Sequence, residues 1–360
     1  MISGSPLVLR AQLAGRVREL RAADPLSPIN VLVGASLQRP FLQRWLAASL
    51  GAHANVRILM PGDLALLLGA APLVAQGRRA LPPLADRVLL ADVARKHPGY
   101  FAPVAKTPGF GEALFRLVRE LRGAGYDLRD LGPLLDGATD APEKAGSLAE
   151  ILSEFERRRT GFYGPDDALL AAEPARLDGL ALLVWGLLDI PPALERVLHG
   201  IAERMPVDVH LFDVPAGTDT PLTELRSGLI AGGAAQRHVR DADKVGSALE
   251  RVREAMFTPP TKPALAPDGS VRLVSGPDPS REVRAAARAC LGWAREGVPF
   301  WDMAVAYRRA ETYLPLVEAV FVEAGVPVYL HEGSPLAERP LGRQTLGLLA
   351  LFDSDLCASR

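Results

Sequence analysis

Cysteine is nearly absent: only Cys290 and Cys357 occur in 360 residues. Two thiols so far apart build no disulfide framework and no metal-ligand spacing. Such sparse use of cysteine is expected of a reducing cytoplasm. Net charge is also missing. The formal value is −1, so no global field draws the chain to nucleic acid, and any such contact has to come from local basic patches. No apolar run approaches the ~18 residues of a membrane-spanning helix. The N-terminal stretch MISGSPLVLRAQLAGRVREL has arginines scattered through it and lacks the apolar centre of a signal peptide. A nuclease signature is lacking too. A PD-(D/E)xK site needs an Asp and a following (D/E)-x-K on adjacent strands to hold Mg²⁺, and no such triplet sits on an expected strand. The segment DADK, Asp241 to Lys244, has the spacing of Asp-x-Lys but reads as a loop or a helix cap.

What is present is a chain that is 48% hydrophobic, long enough for two or three domains with sizeable cores. Short apolar runs recur at Val31 to Val33, Val56 to Met60, Leu182 to Trp185 and Val207 to Phe212. Each is closed by Gly, Pro or Asp, as buried parallel strands are. A helix expected over Ala193 to Glu203 separates the last two. This alternation predicts an α/β fold with a parallel sheet. Between the second and third runs lies a mostly helical insertion, from about Leu81 to Leu170. Within it Leu114, Leu117, Val118 and Leu121 follow the i, i+3, i+4, i+7 spacing of one helix face. DGATDAPEKAGS reads as a loop. SLAEILSEFERRRTGFYGPDDALLAA reads as a helix, a turn at Gly164-Pro165, and a short helix capped by Asp166 or Asp167.

The segment FTPPTKPALAPDGS, residues 257–270, is rich in proline and reads as an extended linker. A second α/β unit is expected after it. SVRLVSGPD, DMAVAYR and VPVYL read as strands, and PSREVRAAARACLGWAREG and YLPLVEAVFVEAG as helices. Cys290 falls on the core face of the first of these helices. The final helix, LGRQTLGLLALF, has no strand after it, so this unit is expected to be incomplete. The expected division is residues 1–75 with 171–256, an inserted 76–170, and 271–360.

The stretch PINVLVGASLQRPFLQRWL begins like a phosphate-binding loop, with an apolar strand ending in Gly34 before an amphipathic helix. A Walker A loop cradles phosphates in its backbone amides, neutralises them with Lys and holds Mg²⁺ with Ser or Thr. Here Ser36 comes too early and no Lys follows Gly34. Arg39 could touch a phosphate, but Pro40 removes the next amide. The simpler reading of Gly34 is that it only allows a tight strand-to-helix turn. After the third run, Asp189 is the single carboxylate, three residues beyond Gly186. It is a metal ligand or, more simply, an N-cap before Pro191-Pro192.

The order and spacing of these parts resemble the N-terminal portion of AddB/RexB-type subunits of bacterial helicase–nucleases. VRILMPGDLALLLG and the block from LPPLADRVLL to LRGAGYDLRDL are similar to that family's strand and helical block. So are SLAEILSEFERRRTGFYGPDDALLAA, GLALLVWGLLDIPPALERVLHGIAERMPVDVHLF and VRLVSGPDPSREVRAAARACLGWAREGVPFWDMAVAYRRAETYLPLVEAVFVEAGVPVYLHEGSPLAERPL. Together they cover most of the chain. The resemblance implies a P-loop NTPase-like (RecA-like), UvrD-like motor fold that has lost its ATPase residues. It implies the start of a second RecA-like unit and a PD-(D/E)xK nuclease domain further along. Mg and an iron–sulfur cluster would belong to that later domain, with no cofactor in this region. The partners implied are DNA at a double-strand end and an active AddA/RexA-type helicase–nuclease subunit. By the same resemblance Gly34, Ser36, Arg39 and Asp189 are remnants of a nucleotide site, Asp213 remains where active enzymes carry Gly-Asp and a Gln, and Arg308 stands where such enzymes present an arginine to the γ-phosphate.

Arg308 could instead bind a DNA phosphate or pair with Glu311, and Glu282 favours its helix dipole. Candidate strand contacts are basic clusters and exposed aromatics: Arg116, Arg119 and Arg122; the run Arg157, Arg158, Arg159 with Phe162 and Tyr163; and Arg284, Arg288 and Arg295. The run through Tyr163 is the densest and the first choice. Each cluster is also readable as a solvated helix face, and Phe162 and Tyr163 as core. Three functions stay open: a DNA-end-processing subunit, a stand-alone scaffold module of the same fold, and an unrelated α/β nucleotide-binding protein. The last needs a Gly-rich phosphate loop or a convergent polar set, and neither is visible.

Overall fold

Alternation along the apolar strands explains the first part of the molecule. In the computed structural model, which describes residues 1–51, 54–129, 131, 141–213, 220–239, 247–255, 266–330 and 339–353, Met1–Ala266 and Pro267–Arg360 form two compact units. The first is built on eight strands: β1 (Ile2–Gly4), β2 (Ile29–Val33), β3 (Val56–Leu59), β4 (Arg79–Ala80), β5 (Phe162–Tyr163), β6 (Leu182–Trp185), β7 (Val207–Phe212) and β8 (Arg237–Val239). Six of them make one parallel sheet in the order β3-β2-β6-β7-β1-β8. The predicted parallel α/β fold is therefore observed.

Successive side chains of a strand point to opposite faces, and here both faces are covered. Val31, Val33, Leu183 and Trp185 pack on one face against Leu9, Leu13 and Val17 of α1 (Pro6–Ala23) and Leu42 and Leu46 of α2 (Gln38–Leu50). Leu32, Leu182, Val184, Val209 and Leu211 face the other way. There they meet Leu64 and Leu68 of α3 (Pro61–Ala75), then Leu194, Val197, Leu198 and Ile201 of α8 (Pro192–Ala202), and Leu222, Leu225 and Leu229 of α9 (Pro221–Ala231).

The helical stretch between β3 and β6 has its own core. It holds α4 (Ala85–Lys96), α5 (Pro108–Gly123), α6 (Pro142–Arg158) and α7 (Pro165–Leu170). Leu90 and Val93, Leu114 and Val118, and Ile151, Leu152 and Phe155 close on one another. α6 starts at Pro142, inside the stretch read as a loop, because proline is pre-organised for the first helical turn and needs no N–H partner there. α3 and α7 touch at Gly69, where a Cβ would lie 1.9 Å from the Ala168 carbonyl oxygen.

In the second unit, α11 (Pro279–Arg295) and α12 (Ala310–Glu323) pack through Val283, Ala287 and Cys290 against Val317, Val320 and Phe321. α10 (Ala248–Ala255) precedes this unit in the chain and α13 (Pro340–Asp353) is its last described helix. The three runs read as strands here form no ladder among the described residues. A strand is made by its hydrogen-bonded neighbour, and Leu273, at 99% exposure, has none of the covering that a buried strand needs. Residues 257–265 of the linker, Asp241, Lys244 and Cys357 lie outside the described residues.

Candidate functional site

The loop after β2 stands at the carboxyl edge of the sheet, where open α/β folds place their ligands. Two of its amides are already engaged. Gly34 N–H donates to Gln38 Oε1 at 2.9 Å and Ala35 N–H donates to the same oxygen at 3.1 Å. The other end of the Gln38 amide points at Gly186 O, 3.4 Å away, just after the neighbouring β6. Gly186 is held at φ +59°, and a Cβ there would lie 2.8 Å from Gln38 Nε2 and from the Phe212 ring. Glycine is thus required for the close approach. Gln38 is the residue that inspection of the motif misses. Its only signal is position: a side-chain amide four residues after the loop glycine, in the first turn of a helix, can reach back to orphan N–H groups.

The remaining nucleotide-site candidates do not converge. Ser36 is exposed. The Arg39 guanidinium pairs with Asp63 in the first turn of α3, and Asp63 also accepts the Met60 N–H at 2.9 Å. Asp213 faces His238, Oδ1 to Nδ1 3.4 Å, and its N–H donates to Gly4 O at 3.1 Å. Asp189 does not cap α8, whose N-cap is Pro191 with no side-chain bond. It lies exposed in a cleft of about 460 Å³ that also contains Arg116, Arg119, Glu112 and Glu120. The residues of the loop do not fit a magnesium–nucleotide: a lysine and a suitably placed hydroxyl are absent, and two loop N–H groups have an internal acceptor.

The basic run is placed differently from its sequence reading. Consecutive helical residues point about 100° apart, so Arg157, Arg158 and Arg159 cannot share a face. Arg157 reaches out and grips Glu154 through Nε and a terminal nitrogen, at 2.6 and 2.7 Å. Arg158 is half-buried between Glu154, 2.6 Å, and Asp92 of α4, 2.9 Å. The two arginine hydrogen bonds hold the Glu154 carboxyl down at about 2. Arg159 is only 1% exposed. Its guanidinium meets Asp167 at 2.6 and 3.1 Å, Asp86 at 3.2 Å and Glu156 at 3.4 Å, beside the Phe155 ring. Arg122 is buried in the same cluster, paired with Glu156 and, at 3.4 Å, with Asp167.

This cluster ties α4, α5, α6 and α7 together. Burial raises the Asp167 carboxyl, but the Arg159 hydrogen bonds and the Arg122 and Arg159 charges outweigh it and bring it to about 2. Burial dominates at Asp166 and pushes its carboxyl up. Asp167 at the third helical position accepts the Gly164 N–H at 2.7 Å, so the cap of α7 is Gly164 with Asp167 reaching back. Tyr163 is 6% exposed and packs with Ala65, Leu73 and Ala168, whereas Phe162 stays partly exposed on β5. Arg159, Arg122 and Tyr163 are thus core-forming groups with no surface to offer a strand.

Arg116 and Arg119 remain exposed on α5 without an ion pair among the described residues. In the second unit Arg308 makes no ion pair with Glu311 or any other described carboxylate. It lines a cleft of about 500 Å³ with Tyr307, stacked on Tyr313 at 6.2 Å, and Glu282. Glu282 accepts the Tyr313 hydroxyl at 2.6 Å as well as lying in the first turn of α11. Among the described residues no group of three or more His, Cys, Asp and Glu side chains could hold a metal ion, and no helix is long and apolar enough to cross a membrane.

No family model matches the chain. Similarity to individual proteins is clear. The Moorella thermoacetica protein named as the B subunit of an ATP-dependent helicase/deoxyribonuclease is 29% identical over 280 residues, covering 68% of this chain and 24% of that protein. The protein of the same name from Geobacillus kaustophilus is 31% identical over 281 residues, with 67% and 24% covered. That of Symbiobacterium thermophilum is 28% identical over 310 residues, with 74% and 26% covered. The chain spans about a quarter of the length of the curated relatives it matches. Over that quarter it is similar to the B subunits of ATP-dependent helicase/deoxyribonucleases.

Proposed function

We propose that this chain is the inactivated motor region of a DNA double-strand-end processing subunit. It holds DNA without hydrolysing ATP. The observation that carries the reading is the Gln38 amide on the Gly34 and Ala35 N–H groups. In a working P-loop those amides are the phosphate cradle; here a side chain of the same fold takes the phosphate's place. The missing loop lysine and the Arg39–Asp63 pair act in the same direction. Arg308 then has no γ-phosphate to meet and is left for other contacts. The parallel sheet persists because its strands are buried on both faces, and burial does not depend on the nucleotide.

On this reading the strand-cutting chemistry, its Mg and an iron–sulfur cluster belong to a PD-(D/E)xK domain outside this region. ATP-driven translocation belongs to an AddA/RexA-type partner in the cytoplasm. The names of the relatives support a helicase–nuclease role, and the polar groups described above support a non-catalytic one for this part. The direct test is ATP turnover by the purified chain with and without single-stranded DNA. Background turnover in both cases, unchanged by Arg308→Ala, is expected. DNA-stimulated turnover that disappears with Arg308→Ala contradicts the proposal.

A further inference from the structure

Among the described residues the arginines of α11 stand out from the other basic groups in how they are arranged. Arg281, Arg284, Arg288 and Arg295 are separated by three, four and seven residues. At 100° per residue those spacings keep all four within about 60° of one another around the helix, along about 21 Å of its length. The core face, Val283, Ala287 and Cys290, points away from them. All four are exposed, and none makes an ion pair or side-chain hydrogen bond among the described residues. Glu282 and Glu296, the glutamates at the two ends of the helix, fall outside the stripe, and Glu282 is taken by Tyr313.

Four unpaired guanidinium groups in a row repel one another. A fold keeps such a row when an external anion chain neutralises it, and a nucleic-acid backbone presents regularly spaced charges of that kind. The rival basic surfaces are weaker candidates. Arg116 and Arg119 share their cleft with Glu112, Glu120 and Asp189, so the local field is mixed. Arg157 and Arg158 are already paired.

We infer that the exposed arginine stripe of α11 is the face by which the second unit holds the phosphate backbone of single-stranded DNA, an assignment that rests on the DNA-holding role proposed above. The contact is to phosphates, so it is indifferent to sequence and sensitive to salt.

The test is fluorescence anisotropy of the full chain with a labelled oligothymidine over a series of salt concentrations. Each phosphate that is no longer neutralised lowers the slope of log affinity against log salt by about 0.7. Replacing Arg281, Arg284, Arg288 and Arg295 with Gln is expected to lower it by about 2.8 and to weaken binding at least roughly tenfold at low salt. The same four positions changed to Lys are expected to keep the slope, which separates removal of charge from failure to fold. Arg157→Gln with Arg158→Gln is expected to leave it unchanged. An unaltered slope in the four-Gln variant, with the unmodified chain binding DNA normally, overturns the stripe but leaves the DNA-holding role standing. No DNA binding by the unmodified chain overturns both. Stripe-dependent binding of poly-glutamate without binding of DNA makes the stripe a protein-docking face and overturns the inference.

Discussion

Two arginine-bearing helices of this protein teach opposite lessons. α6 and its C-cap carry three consecutive arginines, the densest basic run in the chain, and they are turned inward or paired. α11 carries four arginines scattered over fifteen residues, and every one is exposed and unpaired among the described residues. Density along the sequence is therefore a poor guide to surface charge on a helix. Adjacent residues diverge by about 100°, whereas spacings of three, four and seven converge. What decides the fate of each arginine is the acid within reach. Glu154, Asp92, Asp86, Glu156 and Asp167 surround the end of α6, and no described carboxylate pairs with the stripe of α11.

The largest effect that sharpens this contrast is on stability. Arg159→Ala removes the arginine that Asp167, Asp86 and Glu156 share, leaving Glu156 and Asp167 with Arg122, and breaking such a buried cluster costs about 3 kcal/mol. Urea unfolding should show that loss, whereas Arg284→Ala should leave the midpoint where it is. Equal midpoints for the two variants would erase the distinction between the helices.

Acid comes next. Asp167 is depressed in the fold to about 2 from an ordinary 3.8. Its contribution is fully present above pH 4 and is lost as pH falls toward 2. A shift of that size corresponds to about 2 kcal/mol at neutral pH. Asp166 is raised by burial and acts with the opposite sign, its cost relieved by acid. Thermal melts between pH 5 and pH 2.5 should therefore fall less steeply for Asp167→Asn than for the unmodified chain. Parallel curves would show that the cluster does not titrate with folding.

A smaller effect is expected at the loop. Gly186→Ala forces a Cβ against Gln38 and Phe212 at a positive φ and should cost about 1 to 2 kcal/mol. The same change at Gly146, where a Cβ would meet nothing within 4 Å, should stabilise α6 slightly through helix propensity. A harmless Gly186→Ala would mean that Gln38 is not packed where the structure has it.

Much of the first unit could be read from the residues. The four longer strands and the face of α5 follow from periodicity, because burial on two faces or one face dictates where the apolar groups fall. β1 and β8 could not be read. Ile2–Gly4 and Arg237–Val239 are three residues each and show no period; their neighbours in the sheet define them. The strand-like runs of the second unit show the converse, since apolar β-branched residues form no ladder without a partner. For the site, the absence of a lysine after Gly34 was legible. That Gln38 fills the loop, that Asp189 caps nothing, and that Arg159 and Tyr163 are buried depend on side chains brought together from distant positions.

In the α6 cluster and in the loop after β2, guanidinium and backbone N–H groups find their acceptors inside the fold. The most direct measurement is NMR of chain labelled with ¹⁵N-glycine and ¹⁵N-alanine, titrated with magnesium–ATP. The account predicts that the Gly34 and Ala35 amide signals stay in place up to millimolar nucleotide. Saturable shifts of those two signals would show a phosphate in the loop and contradict it.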